Sequence, residues 1–174
     1  MPPMTSCHGD ELRSSFDDVF CELLPRLYRR AVLLAGAHAA EDAVHEAYLK
    51  LVARPQRFLS HPEPYAYAFS ALVSVVRDGY RRGSKHVLVA EMKESGSGSD
   101  RWDGGFEERA AELEAVRLLG RLSVRQAGVV ILVDLDGYTI DQAAEVLELH
   151  RGTVSRSRAR ALDKLRRLLA EHQL

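Results

Sequence analysis

Seven basic side chains crowd the stretch from His150 to Arg167: Arg151, Arg156, Arg158, Arg160, Lys164, Arg166 and Arg167, against one acid, Asp163. Guanidinium groups at this density suit phosphate oxygens and the paired acceptors on a guanine edge. The whole chain has a net charge of -1, so the footprint is a local stripe rather than an average. A solvated basic helix face is the plainer alternative. It is disfavoured because a turn, a helix cap and a basic run coincide at this place.

Other chemistries have no constellation. The histidines are scattered without a ligand repeat, so no metal site is predicted. Gly96, Gly98, Gly104 and Gly105 follow no strand and make no phosphate loop. Glu41-Asp42 and Glu107-Glu108 read as solvated helix starts rather than acid–base pairs. With no nucleophile, base or metal set, the chain is predicted not to be an enzyme and to carry no cofactor.

The elements that must position the arginines run from Leu122 to Leu169. Thr139 and Gln142 have the spacing of a capping box. Ala143, Ala144 and Leu147 share one side of the helix that follows, and the chain turns through Glu148-Leu149-His150. A second helix starts near Arg151, with Val154, Ala161, Leu162, Leu165 and Leu169 as its predicted buried stripe. Two helices three or four residues apart, the second rich in Arg, form a helix-turn-helix that lays one helix in a DNA major groove.

The N-terminal part is also helical. Leu23, Leu24, Leu27, Tyr28, Ala31, Val32 and Ala35 repeat at three and four, with Pro25 expected near a helix start or at a break. Ala40, Ala43, Val44, Ala47, Tyr48, Leu51 and Val52 form an unbroken apolar stripe. The opposite face carries Glu41, Asp42, His45, Glu46, Lys50 and one apolar intruder, Leu49, which suggests a partner surface. The next helix, Tyr65 to about Arg82, is apolar nearly all round until Arg77, so most of it should be buried. It ends in Arg77, Asp78, Tyr80, Arg81, Arg82 and Lys85, bases interleaved with an aromatic, which suits nucleic acid or a helix dipole equally well.

Residues 89–110 read as a flexible linker with six acids and three bases, able to span roughly 25 Å. Its acids either keep a passive tether solvated or mimic phosphate charge; Trp102 within it docks on a partner or on a lobe. The chain is thus predicted to be all-α: two small helical domains, residues 11–88 and 111–174, on a flexible acidic string, the second a helix-turn-helix. The first ten residues are expected to form a loose tail. Only Cys7 and Cys21 occur, without a CxxC, and no apolar run approaches the ~20 residues of a membrane span. A cytoplasmic location without membrane contact is predicted.

Three segments carry a resemblance. AAEDAVHEAYLKLV (39–52), YAYAFSALVSVVRDGYRR (65–82) with its Asp78 and Arg81, and the C-terminal stretch with Leu122, Ala144, Gly152-Thr153-Val154 and Arg160-Ala161 together resemble extracytoplasmic-function (ECF) sigma factors of the sigma-70 family. The resemblance covers about residues 12–86 and 108–170. It implies core RNA polymerase and promoter DNA as partners and allows an anti-sigma factor. By that resemblance, Asp42, His45, Glu46 and Leu49 dock on the polymerase, and Arg77, Arg81 and Arg82 serve the −10 element. Arg151, Thr153, Ser155, Arg156, Arg158, Arg160 and Lys164 serve the −35 duplex.

Several residues depart from the family pattern. Ser74 stands where Asn is common, which would alter −10 recognition if that side chain handles the opened strand. Glu148 stands where Gly is usual in the turn; a left-handed Glu is strained by roughly 1 kcal/mol, so a different turn is expected. His150 stands where Ser often caps the helix. Two other functions remain in play: a stand-alone helix-turn-helix regulator, which would not need the Leu49 helix, and a sigma-like protein acting mainly through protein contacts.

Overall fold

A computed structural model describes residues 7–84 and 106–171, with side chains for 11–83 and 109–171. The predicted string with Trp102, and Lys85, lies outside the described residues up to Gly105. Every regular element among the described residues is helical. The first lobe holds α1 (Cys7–Ala35), α2 (Ala37–Val52), α3 (Pro55–Leu59) and α4 (Pro64–Ser84). The second holds α5 (Phe106–Leu119), α6 (Val124–Val130) running into a π-helical turn (Ile131–Leu135), α7 (Ile140–Val146) and α8 (Arg151–Glu171).

The first lobe packs as its periodicity dictates. Ala40, Ala43, Val44, Ala47 and Leu51 of α2 are buried, while Tyr48 is half-buried and donates its hydroxyl to Asp17 Oδ1 at 2.9 Å. Phe16, Phe20, Phe58 and Tyr48 form an aromatic knot at ring separations of 4.9 to 6.5 Å. Gly36 makes the α1–α2 corner with φ of 82°, a conformation only glycine adopts without strain.

Four expectations are corrected. Pro25 neither starts nor breaks a helix: α1 runs through it. Burial of Phe16 and Phe20 before the proline and of Leu27, Ala31 and Leu34 after it holds both halves on one line. That packing outweighs one lost backbone hydrogen bond. Helix α1 also begins at Cys7, inside the expected tail, and α5 begins at Phe106, inside the expected linker, with Glu107-Glu108 in its first turn. Acids there favour helix initiation. Leu169 is not part of the buried stripe of α8. It is 45% exposed, and the half-buried Leu168 takes the next place on the stripe after Ala161 and Leu165.

The lobes are in contact, which a string alone does not require. Helix α4 packs on α1 and α2 with one face and on α6 and α7 with another. That accounts for its being apolar nearly all round: Tyr65, Ala66, Ala68, Phe69, Leu72, Val73, Val75 and Val76 are all buried. A β-carbon on Gly128 would lie 3.3 Å from a γ-methyl of Val73. The absence of a side chain at position 128 lets α6 settle onto α4.

Candidate nucleic-acid interface

Two reciprocal capping boxes build the second lobe. Thr139 Oγ1 accepts from the Gln142 amide at 3.2 Å, and Gln142 Oε1 accepts from the Thr139 amide at 2.9 Å. Ser123 and Gln126 repeat the device at the start of α6, a box the sequence reading missed although its Ser-x-x-Gln spacing was legible. Glu148 does take the left-handed conformation, with φ of 52°. The turn is therefore retained rather than altered, and the strain is carried by the glutamate. The amide of Leu149 donates to the Ala144 carbonyl at 2.9 Å, closing the turn.

His150 replaces the capping serine in chemistry as well as position. Its Nδ1 accepts the Gly152 N–H at 3.1 Å. Gly152 is small enough to leave that ring in place; a β-carbon there would lie 3.3 Å from His150 Nδ1 and 3.5 Å from Arg156 Nη1. The Arg156 guanidinium thus rests beside the first turn of α8, the end that enters a groove in a helix-turn-helix.

The basic residues of α8 divide into two groups. Thr153 is half-buried, while Ser155, Arg156 and Arg160 are exposed along the first half of the helix. Arg151 is exposed and holds Asp141 at 2.8 Å, a surface pair of little energetic weight. Arg158, half-buried, and Lys164, exposed, instead find partners on neighbouring elements of the same lobe. Arg158 grips Asp134 with its Nε at 3.0 Å and its Nη2 at 2.5 Å, and Lys164 Nζ donates to the Arg121 carbonyl at 2.5 Å. Their charged ends are engaged within the lobe. Helical spacing alone could not reveal this, because both partners lie on other elements.

In the first lobe, Asp42, His45, Glu46 and Leu49 lie together on the exposed face of α2, with Leu49 53% exposed. This face meets the basic end of α4: Arg82 Nη2 lies 3.3 Å from Glu46 Oε2, and Lys50 Nζ lies 3.5 Å from Asp78 Oδ2. Between α2 and α4 runs a groove of about 630 Å³ floored by Ala39, Ala43, Val75, Val76 and Gly79. Arg77, Arg81 and Arg82 are exposed beside Tyr80, itself 56% exposed, and Ser74 is half-buried one turn back. A second cleft of about 1020 Å³ separates this basic end from the other lobe, where Ser123 and Arg125 form the facing wall. Arg125 was not singled out from the sequence.

The least expected feature lies between the lobes. The Asp136 side chain is 1% exposed, and its partners all come from the first lobe. Oδ1 accepts from Arg30 Nη2 at 2.6 Å and Nε at 3.2 Å and lies 3.1 Å from Arg26 Nη2; Oδ2 accepts from the Tyr65 hydroxyl at 2.6 Å. Burial alone would raise this carboxyl's pKa, but hydrogen bonds from Arg30, Tyr65 and Arg26 outweigh it and hold the group below the usual carboxylate range. The Arg26 guanidinium carbon also sits 3.6 Å over the Tyr65 ring centre. Beside the hub, burial and a hydrogen bond to Glu63 push the Tyr138 hydroxyl up to about 12.

No group of three or more His, Cys, Asp and Glu side chains suited to a metal occurs among the described residues. No described helix is long and apolar enough to cross a membrane.

Comparison with known proteins defines the class these lobes build. Residues 19–86 match Sigma-70 region 2, and residues 112–165 match Sigma-70, region 4. The chain is 30% identical over 162 residues to the ECF RNA polymerase sigma factor SigM of Mycobacterium tuberculosis, covering 90% of this chain and 78% of that protein. It is 28% identical over 165 residues to the ECF RNA polymerase sigma factor EcfG of Rhodopseudomonas palustris, covering 91% and 87%. Among solved structures, the fold is similar to the sigma factor RpoE in complex with the anti-sigma factor NepR from Bartonella quintana. That match has a TM-score of 0.67 at 24% identity and covers 88% of this chain and 98% of that one. It is also similar to CnrH in complex with the cytosolic domain of CnrY, with a TM-score of 0.62 at 19% identity, over 94% and 95% of the two chains.

The chain belongs to the sigma-70 family, within its extracytoplasmic-function group. Its function is that of an RNA polymerase sigma factor, directing core polymerase to specific promoters and initiating transcription.

Proposed function

We propose that the two lobes, residues 11–88 and 111–174, divide the work of promoter recognition. The first docks on core RNA polymerase through Asp42, His45, Glu46 and Leu49, and presents Arg77, Arg81 and Arg82 to the −10 element. Leu49 standing exposed amid acids and a histidine supports the docking face. The second lobe lays the N-terminal half of α8 in the −35 major groove. Arg156 and Ser155 serve base edges; Arg151, Thr153 and Arg160 serve phosphates and groove walls. Arg158 and Lys164 brace the lobe at its surface, through Asp134 and the Arg121 carbonyl. The observation that carries this division is the exposed Arg156 at the His150-capped start of α8.

Action in the cytoplasm, without catalytic groups of its own, follows from that division. An anti-sigma partner is part of the proposal, supported by the fold shared with the RpoE–NepR complex. The test is reconstitution with core polymerase and run-off transcription on a genomic promoter pool. Promoter-restricted transcripts are expected. Core binding without transcripts would favour a protein that acts through protein contacts, and duplex binding without core binding would favour a stand-alone regulator.

A further inference from the structure

The cleft between the lobes gathers cations from both sides. Arg77, Arg81 and Arg82 of α4 and Arg125 of α6 line its volume of about 1020 Å³, and among the described residues no carboxylate lines it. We propose that this cleft binds a nucleoside polyphosphate, its phosphates held by the four guanidiniums and its base stacked on Tyr80.

Like charges facing one another across a cleft repel, and the cleft wall itself carries nothing to offset them. The neighbouring acids offset them only in part. Asp78 is shared between Lys50 at 3.5 Å and Arg77 at 3.8 Å, and Glu46 meets Arg82 at 3.3 Å from α2. These pairs are largely exposed and therefore weak. Arg81 and Arg125 are exposed and have no hydrogen-bond or ion-pair partner among the described residues. Guanidinium forks left open in this way suit phosphate oxygens, which they can take two at a time.

The rest of the cleft suits the nucleoside. Its volume stands at the upper end of the range for small-molecule sites, about 300–1,000 Å³. Gly120, Leu122 and Val124 give it an apolar wall. The Tyr80 side chain, 56% exposed, sets an aromatic face beside the arginines. Stacking on such a face tolerates any base.

The placement of charge favours a compact anion over a strand. Arg77 and Arg81 stand one turn apart on α4, with Arg82 beside them, and Arg125 faces them from the second lobe. A polyphosphate carries its charges on adjacent phosphorus atoms, whereas a nucleic-acid strand spaces them one per nucleotide. A strand can follow the arginines of α4 alone; a compact polyanion between the lobes also uses Arg125. The promoter reading above assigns Arg77, Arg81 and Arg82 to DNA and leaves Arg125 and Tyr80 unassigned.

The test is isothermal titration calorimetry on the full chain without polymerase. The probes are ATP, inorganic tripolyphosphate and a mixed-sequence single-stranded oligonucleotide, all in magnesium-free buffer. ATP should bind about tenfold more tightly than tripolyphosphate, the difference being the stacked base. Tyr80→Ala should reduce ATP to the affinity of tripolyphosphate, and Tyr80→Phe should keep the affinity of the unaltered chain. Arg125→Ala should weaken ATP about tenfold, through loss of a charge-assisted contact, and leave oligonucleotide affinity unchanged. Both positions are exposed, so the helical fold should persist, checked by far-UV circular dichroism. Absence of ATP binding, or unchanged ATP affinity in Arg125→Ala, would overturn the site. Tripolyphosphate as tight as ATP would remove the nucleoside from it. An oligonucleotide that depends on Arg125 as strongly as ATP does would make the cleft a strand site instead. Failure of the unaltered chain to give transcripts with core polymerase would overturn the proposed function and leave these titrations unaffected.

Discussion

Changing Leu49 to Asp should separate folding from polymerase binding. Leu49 is 53% exposed, on the face of α2 opposite Ala43, Ala47 and Leu51. Fully burying a leucine contributes about 1.5–3 kcal/mol, so covering the exposed half contributes about 0.8–1.6 kcal/mol. Leu49→Ala should lose most of that. Leu49→Asp should lose all of it and add the desolvation of a carboxylate, so affinity for core polymerase should fall at least tenfold, or about 1.4 kcal/mol. Thermal stability should change little, because surface substitutions usually stay within about 0.5 kcal/mol. The assay is an anisotropy titration of labelled protein with core polymerase, with far-UV circular dichroism as the folding control. Affinity within twofold of the unaltered protein for both variants would show that this face does not dock. A loss of affinity matched by a loss of helix signal would place Leu49 in the core instead.

Arg156→Ala should reduce discrimination between the preferred −35 duplex and random duplex by about 1–3 kcal/mol; equal losses on both would reassign Arg156 to the phosphate backbone. Lys164→Ala should leave DNA binding unchanged on either duplex, since its ammonium is held by the Arg121 carbonyl; a uniform drop in affinity would mean it reaches DNA. Glu148→Gly should stabilise the protein by about 1 kcal/mol by relieving its φ of 52°, seen as a higher melting temperature; an unchanged or lower value would show that the turn gains something from the glutamate. The Asp136 carboxyl is depressed below its ordinary 3.8, so its contribution is complete above that value and is lost as pH falls through the lower, folded-state value. Tyr65 is raised, chiefly by burial, so its contribution is complete below its ordinary 10 and declines above it. The lobe–lobe distance, read between labels on the two lobes, should therefore hold steady from about pH 5 to 9; separation inside that window would mean that other groups hold the lobes together.

The legible and illegible parts of this protein divide by the range of the forces involved. The stripe of α2 was plain in the sequence because a 3.6-residue repeat sorts each side chain to core or solvent without reference to other elements. So was the Thr139–Gln142 box, whose two hydrogen bonds close within four residues. Leu49 could be read as exposed from its own helix alone. Tertiary packing overrode local propensity at Pro25, where buried side chains on both sides keep the helix continuous. Packing also settled which basic residues remain outward. Arg158 and Arg160 look alike in sequence, yet only Arg158 finds Asp134, 24 residues away, within reach. Asp136 is the extreme case. In sequence it is one acid before a glycine; in the fold it is a buried carboxylate bound to an arginine 106 residues distant. The helix repeat could reveal that α4 had a second apolar face to cover, but not what would cover it. Only the close approach of Gly128 to Val73, and the meeting of Asp136 with Arg26, Arg30 and Tyr65, decided that the covering surface is the chain's own second lobe.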